Sequence, residues 1–368
     1  MLTWRDTGNP EGGGAEVYLD QVARGLVERG DRVTIFTAAY PGAAPEETSE
    51  GIRYVRRGGK LTVYLWGMLL LALGRLGRPD VVVDVQNGLP FFTRLVTRAP
   101  VIVLVHHVHR EQWPVVYPGL KGRIGWWLES SFAVRLYRRC QYIAVSRATR
   151  TELIELGVDG DRIAVVHNGT EARLDVHPRK STYPSICVVG RLVPHKRVEQ
   201  AIDAAVALRA TIPDLRLTIV GSGWWGTELT AYAAQRGAGE TVEFLGFVDD
   251  ATREAVYERS WVMAVPSLKE GWGLVITEAG RYGTPAIAYR NAGGTTESIE
   301  AGVSGLLVET EEEFVERLRE VLTDEVLRKE LGEGALWHAA RHTWEQSQTN
   351  FAAIVDAAER GQVVSPQL

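Results

Sequence analysis

The sequence predicts an α/β protein built from two Rossmann-like domains, each a doubly wound parallel sheet, facing each other across a cleft. Three observations carry this. Short β-branched runs alternate with amphipathic helical stretches almost throughout, and strand–helix–strand repetition implies right-handed crossovers. Many of the runs are apolar without alternation, as parallel strands covered on both faces are. The 368 residues exceed one ordinary core and suit two domains.

In the first half, strands are predicted at 32–37, 52–56, 81–85, 101–105, 142–145 and 163–166, with a helix at 17–28. Only Met1-Leu2-Thr3-Trp4 precedes the glycine loop at 11–16, so the first strand, normally central in such a sheet, is nearly absent. The longest apolar stretch, 61–73, falls short of the ~20 residues that span a bilayer and reads as a buried core helix. Residues 110–121 read as an irregular cleft-facing loop. In 121–139, Arg135, Arg138 and Arg139 stand at helical spacing near Trp126, Trp127 and Phe132. That segment is either a packed helix with one basic side or a surface for peripheral membrane contact. In the second half, strands are predicted at 186–189, 215–220, 242–245, 261–265, 286–288 and 305–308. The aperiodic stretch 170–184, with Pro178 and Pro184, predicts the joint. Residues 1–175 then form the first domain and 176–344 the second, while a final helix within 345–368 packs back onto the first.

Composition narrows the function classes. A hydrophobic fraction of 45% supports a sizeable core and excludes wholesale disorder. A net charge of −5 lacks the basic footprint of a nucleic-acid binder. Cys140 and Cys187 do not make a disulfide framework, and the polar, glycine-rich start is unlike a secretory leader. A reducing cytoplasm is the expected setting.

The chemistry concentrates in loops at strand carboxyl ends, where doubly wound sheets bind ligands. The most informative is Glu270-Gly271-Trp272-Gly273-Leu274-Val275-Ile276-Thr277-Glu278. A glycine turn after a buried strand opens a helix, leaving the Leu274 and Val275 N–H groups unpaired and available to phosphate. Glu278 lies four residues beyond Leu274 on the same helix face and is placed to accept from a ribose diol. Glu270, in the loop, lies closer to where a sugar would sit. The segment Gly190-Arg191-Leu192-Val193-Pro194-His195-Lys196-Arg197 also follows a strand. Arg191 offers a planar fork of donors and Lys196 a mobile point charge, both suited to a diphosphate.

Three weaker loops join these. Gly12-Gly13-Gly14-Ala15-Glu16 lets a ligand approach the backbone before a helix. Val220-Gly221-Ser222-Gly223 is another strand-to-glycine turn, and Gly246-Phe247-Val248 is placed to contact a base through its backbone. Taken singly, each is also an ordinary ligand-free turn. Their combination at strand ends points to a nucleotide or a sugar nucleotide. In the first half, the strand at 101–105 runs into His106-His107-Val108-His109. An imidazole there can donate to a sugar hydroxyl or take a proton near neutral pH. Three histidines in four residues admit a metal reading, but no companion ligand stands at a metal spacing, so no metal site is assigned.

Together these residues resemble the retaining glycosyltransferases of family 4, which have the GT-B architecture. The resemblance covers nearly the whole chain. Gly12-Gly13-Gly14-Ala15-Glu16 is similar to the family's N-terminal GGxE loop, and Ser146 and Asn168-Gly169 to its mid-chain markers. Gly190-Arg191-Leu192 through Lys196 is similar to its GRL…K phosphate loop. Pro266-Ser267, Glu270 to Glu278-Ala279 and Gly283-Thr284-Pro285 are similar to its PS…ExFGxxxxEA…GxP stretch, with Trp272 where the family usually has Phe.

The resemblance implies transfer of a sugar from a nucleotide-diphosphate sugar to an acceptor hydroxyl, with the anomeric configuration kept, no cofactor and no required metal. It implies that Arg191 and Lys196 hold the diphosphate. Gly13, Gly14, Gly221, Phe247, Val248, Gly271, Trp272, Gly273, Leu274 and Val275 line the donor, Glu278 binds ribose, Glu270 orients the donor sugar and His106 contacts it near the reacting carbon. The acceptor, a small molecule, lipid or glycan, falls to the first domain, where His107, His109, Trp113 and Tyr117 are the candidates. Two further readings keep the site and change the function: a sugar-nucleotide epimerase or phosphorylase, and a non-catalytic sugar-nucleotide-binding partner. A nicotinamide oxidoreductase lacks its spaced glycine fingerprint here.

Overall fold

In a computed structural model, which describes residues 1–171 and 179–365, the chain divides into two units. The first holds Met1–Asn168 and the residues from Trp344 onward; the second holds Gly169–Thr343. The joint expected at 175/176 lies outside the described residues.

The first unit carries β1 (Thr34–Thr37), β2 (Glu46–Ser49), β3 (Ile52–Arg56), β4 (Val82–Gln86), β5 (Val101–Val105), β6 (Gln141–Ala144) and β7 (Ile163–Val165). Two ladders, β1-β3-β2 and β4-β5-β6-β7, are joined by the first residues of the chain. Leu2 bridges Phe36 of β1 and Asp84 of β4, both in parallel. Its N–H donates to the Val83 carbonyl at 2.8 Å, and the Thr3 N–H donates to the Phe36 carbonyl at 3.0 Å. The central strand is thus shortened rather than lost, and the glycine loop that follows it starts from a pinned backbone. β2 is the one antiparallel neighbour among the described strands. It is exposed along its whole length and has no apolar pattern to announce it.

The apolar stretch 61–73 corrects its sequence reading. It forms the helix Val63–Ala72, but only Val63, Gly67 and Leu71 are buried, on one i, i+4, i+8 line. Gly67 lies so close to Phe91 that an added Cβ would stand 2.6 Å from the ring. The opposite side, with Leu61, Leu65, Trp66, Leu69 and Leu73, faces solvent. The predicted loop at 110–121 contains the short helix Gln112–Val116, and the helix beyond it changes pitch: Leu120–Trp127 is α-helical and Leu128–Ala133 is a π-helical turn. The helix Trp344–Glu359 lies against Gly14–Glu28, with Gln348 donating to the Gln21 carbonyl at 2.9 Å.

The second unit is a six-stranded sheet of β8 (Ser185–Val189), β9 (Arg216–Val220), β10 (Val242–Gly246), β11 (Val262–Val265), β12 (Ala286–Tyr289) and β13 (Gly305–Val308). Its order is β10-β9-β8-β11-β12-β13, every pair parallel. The order reverses between β8 and β11, which is the topological switch point where such sheets hold ligands. Apolar clusters cover both faces, one around Ile186, Leu217, Ile219 and Leu318 and the other around Cys187, Met263, Ile276 and Ala288.

Candidate active site

The second unit gathers the loops that follow β8 and β11. Gly190, Arg191, Lys196, Pro266, Ser267 and Glu270 line one pocket at the switch point. The Leu268 N–H donates to the His195 carbonyl at 2.8 Å, which ties the two loops together. Lys196 Nζ reaches Glu270 Oε1 at 2.5 Å. Burial pushes the Glu270 carboxyl up, but the Lys196 ammonium and hydrogen bonds from Lys196 and Ser267 outweigh it and hold the group below its usual range. Glu270 is therefore an anion beside a cation, and both are largely out of water. Arg191 lines the same pocket, half-buried. Arg197 differs: its Nε donates to the Pro266 carbonyl at 2.9 Å and its guanidinium stacks on Tyr289, which makes it a brace.

Close backbone approaches fix these loops. The Gly190 N–H donates to the Val220 carbonyl, the Leu192 N–H to the Ser222 carbonyl and the Gly221 N–H to the Gly246 carbonyl. Gly221 has φ +130, and a Cβ on it would stand 1.9 Å from the Gly190 oxygen, so only glycine fits. On the other side, Glu270 bridges Gly293, and a Cβ on Gly294 would stand 2.0 Å from the Gly271 oxygen.

The glycine turn places the rest. Gly273, at φ +87, caps the helix Leu274–Gly280. The Ile276 N–H bonds back to the Gly273 carbonyl, and the Leu274 and Val275 N–H groups have no backbone acceptor among the described residues. Trp272 is expected to line the donor, but its indole is buried against His342, so only its backbone can do so. Glu278 is 21% exposed and accepts from the buried Tyr257 hydroxyl at 2.8 Å, leaving one edge of the carboxylate for a ligand. Phe247 projects into solvent at 81% exposure, and Val248 beside it is half-buried.

In the first unit, Gly13 is not free in the way its loop suggests: the Glu16 carboxylate accepts its N–H at 2.8 Å as a capping box. Gly14, the first helical residue, remains exposed at the helix start. His106 lies at the end of β5, deep in the first unit. It is 5% exposed with its ring edge-on to Tyr18, and burial, aided by repulsion from His109, pushes it down to about 3. It is neutral at physiological pH and a weaker base than an ordinary imidazole. Its Nε2 is buried without a hydrogen-bond partner among the described residues, so it can only donate to or accept from a ligand that reaches it.

The acceptor candidates converge on a residue the sequence reading missed. Glu129, on the π-helical turn, has a fully buried side chain. Its Oε1 accepts from the His109 N–H and lies 3.2 Å from His109 Nδ1, while its Oε2 accepts from the Trp113 indole at 2.5 Å. His107 stacks on His109 and pairs with Gln112, and Tyr117 packs against Trp113. The available signal was position: Glu129 is the sole carboxylate between Glu111 and Glu152.

A family model described as "Glycosyl transferases group 1" matches residues 170–336, and one described as "Glycosyltransferase Family 4" matches residues 12–174. The chain belongs to the family 4, group 1 glycosyltransferases. Among its curated relatives is a protein of Salinispora arenicola (strain CNS-205) named D-inositol 3-phosphate glycosyltransferase, 27% identical over 95% of this chain and 88% of that protein. A Stackebrandtia nassauensis protein of the same name is 28% identical over 98% and 90%. Among solved structures, sucrose-phosphate synthase from Thermosynechococcus elongatus superposes with a TM-score of 0.83 at 18% identity, covering 98% of each chain. Anabaena HepE in complex with UDP-glucose superposes with a TM-score of 0.73 at 21% identity, covering 97% of this chain and 99% of that one. These likenesses show the GT-B fold, and the chain is a glycosyltransferase of that architecture.

Proposed function

We propose that this glycosyltransferase is a hexosyltransferase that uses a nucleotide-diphosphate sugar and retains the anomeric configuration. The reading is carried by one observation: Arg191, Lys196 and Glu270 converge in a pocket at the switch point of the second sheet. Arg191 and Lys196 hold the diphosphate, helped by the Leu274 and Val275 amides and, from the first unit, by Gly14. Glu278 accepts from the ribose, Glu270 accepts from hydroxyls of the donor sugar, and His106 contacts the sugar as a neutral imidazole.

In the proposed reaction the bond from the sugar's anomeric carbon to the phosphate oxygen breaks. The bond to the acceptor oxygen forms on the same face, and the acceptor proton passes to the departing diphosphate. Such a step asks the protein for alignment and for stabilisation of the leaving charge. Arginine and lysine provide that, so no metal is required. The enzyme works in the cytoplasm with a small-molecule, lipid or glycan acceptor, and in peripheral contact with the inner membrane face. Inositol 3-phosphate, named in the relatives, is the first acceptor to try.

The test begins with thermal shifts against a panel of nucleotide sugars, since a donor that binds only the folded state raises the melting temperature. With that donor, nucleotide release should need an acceptor, survive a chelator and give a retained anomer by NMR. Loss of release in Lys196→Ala with the fold intact supports a catalytic role. Donor binding with no release under any acceptor would favour the non-catalytic partner.

A further inference from the structure

The Glu278 carboxylate is held through one of its two oxygens. Both contacts come from the helix Asp250–Arg259, which packs beside the helix that carries Glu278. The Tyr257 hydroxyl donates to Glu278 Oε2 at 2.8 Å, and Arg253 Nε stands 3.9 Å from the same oxygen. Arg253 and Tyr257 are four positions apart, so they share one helix face. Oε1 has no hydrogen-bond partner among the described residues. Arg253 Nε is buried and also lacks a hydrogen bond among them, although Nη1 of the same guanidinium meets Asp250 at 2.8 Å.

The phenol is fixed at both ends. Tyr257 is buried, its ring stacks on Tyr282 at 6.2 Å, and its carbonyl accepts from the Thr284 hydroxyl at 2.6 Å. Burial first, and then the Glu278 charge, push the phenol well above its ordinary 10, so it keeps its hydrogen and donates. A hydroxyl that donates to a carboxylate makes a charge-assisted bond, stronger than one between neutral groups. The helix that carries both residues begins directly after Phe247 and Val248, where the Asp249 side chain caps it by accepting the Thr252 N–H at 2.8 Å. One element thus joins the loop after β10 to the carboxylate on the helix after β11. Holding two helices together does not explain why the bond ends on a partly exposed carboxylate with one oxygen to spare.

We propose that Tyr257 and Arg253 are positioning residues that fix Glu278 through Oε2 and thereby reserve Oε1 for the ribose hydroxyls of the donor. The inference rests on the reading of Glu278 as the ribose ligand and deepens it. A loose glutamate gives up rotamer freedom when it binds, whereas one already pinned at Oε2 has little left to lose. The clamp therefore sharpens selection for a nucleotide that carries its ribose hydroxyls, through two residues that act by way of the carboxylate.

The test is calorimetric titration of the full chain with UDP, GDP and ADP, each beside its 2′,3′-dideoxy form. The readout is the ratio of the two dissociation constants for the base that binds most tightly. The native protein should bind the dideoxy form at least ~10-fold more weakly, the order of a lost hydrogen bond to a charged group. In Glu278→Ala that ratio should fall to about one, since the carboxylate that reads the hydroxyls is gone. Tyr257→Phe removes one oxygen and keeps the ring packing. It should shrink the ratio about three-fold or more, through the ribonucleotide alone, and so should Arg253→Gln. Adding Tyr257→Phe to Glu278→Ala should cost no further affinity, because the phenol acts through the carboxylate. A native ratio in Tyr257→Phe, or equal weakening of both forms in the two single variants, would overturn the proposal. Equal binding of both forms by the native protein, a ratio unmoved in Glu278→Ala, or no binding by any of these nucleotides refutes the ribose assignment itself, and the proposal falls with it.

Discussion

Lys196 and Glu270 meet at 2.5 Å across the point where the strand order of the second sheet reverses. They come from loops after different strands, 74 positions apart, and the ammonium helps hold the carboxylate ionised in a largely dry pocket. In the proposed reaction the ammonium also faces the donor diphosphate, so the pair couples recognition of the phosphates to the placement of an acceptor for sugar hydroxyls. Lys196→Ala should therefore cut turnover at least ~100-fold, the order seen when one preorganised electrostatic contact is lost. Glu270→Gln should leave affinity for the free nucleoside diphosphate nearly unchanged while weakening that for the complete sugar nucleotide. Calorimetric titration of both ligands against both variants checks this, and equal losses for the two ligands in Glu270→Gln would refute the division of roles.

The same pair makes a pH prediction. The Glu270 carboxyl is held below its ordinary value of 4.5 in the folded protein. A depressed carboxyl contributes stability that is fully present above the unfolded value and is lost as pH falls through the folded one. The stability difference between the native protein and Glu270→Gln should be flat above about pH 5 and shrink below it. Urea unfolding of both proteins across that range reads the difference directly.

His106 moves the other way. Its folded value is near 3, against an ordinary 6.5, because burial excludes the imidazolium. Between those values the unfolded chain binds a proton that the folded one does not, so this residue destabilises the fold as pH falls from 6.5 toward 3. The slope is at most ~1.4 kcal/mol per pH unit. Replacing it in His106→Gln should flatten stability over that window. Turnover, in turn, should show no limb near 6.5 that disappears in this variant. An imidazole that titrates near 6.5 by NMR would contradict the burial argument.

Much of this arrangement is legible in the sequence, and what is not has physical reasons. The apolar run 101–105 becomes a strand at the expected bounds because both of its faces are covered. Glu46–Ser49 carries no apolar signal because it is an exposed edge. Met1–Trp4 is too short to show periodicity, yet pairing on both sides makes it the centre of its sheet. The stretch at 61–73 is misread because hydropathy reports what a side chain prefers, not whether a neighbour covers it. In the site, Arg191, Lys196, Glu270 and Glu278 can be found from loop position and side-chain chemistry. Gly294 and Glu129 cannot, since their roles depend on what approaches them from distant parts of the chain.

Gly294 gives a prediction of its own. The tight approach to Gly271 leaves no room for a methyl group at 294, and the atom it would strike is backbone. Gly294→Ala must push the 270–271 segment away, moving the Glu270 carboxylate with it. Overpacking of this kind costs roughly 1–3 kcal/mol. The expected result is a raised KM for the sugar nucleotide together with a lower melting temperature. A variant that loses neither would mean that the two loops separate freely.

Glu129 supplies the last prediction. Its fully buried carboxylate serves three donors on other segments, the His109 backbone N–H, the His109 ring and the Trp113 indole. Because a carboxylate only accepts, His109 presents a hydrogen at Nδ1. Glu129→Ala leaves three part-buried donors without this acceptor, and each group left unsatisfied out of water costs ~1–3 kcal/mol. Glu129→Gln keeps the shape and one acceptor oxygen but turns an N–H₂ toward one of the former donors, so it should lose about half as much. Denaturant unfolding of the two variants ranks them. A Gln variant less stable than the Ala variant would show that the carboxylate is tolerated there and not required.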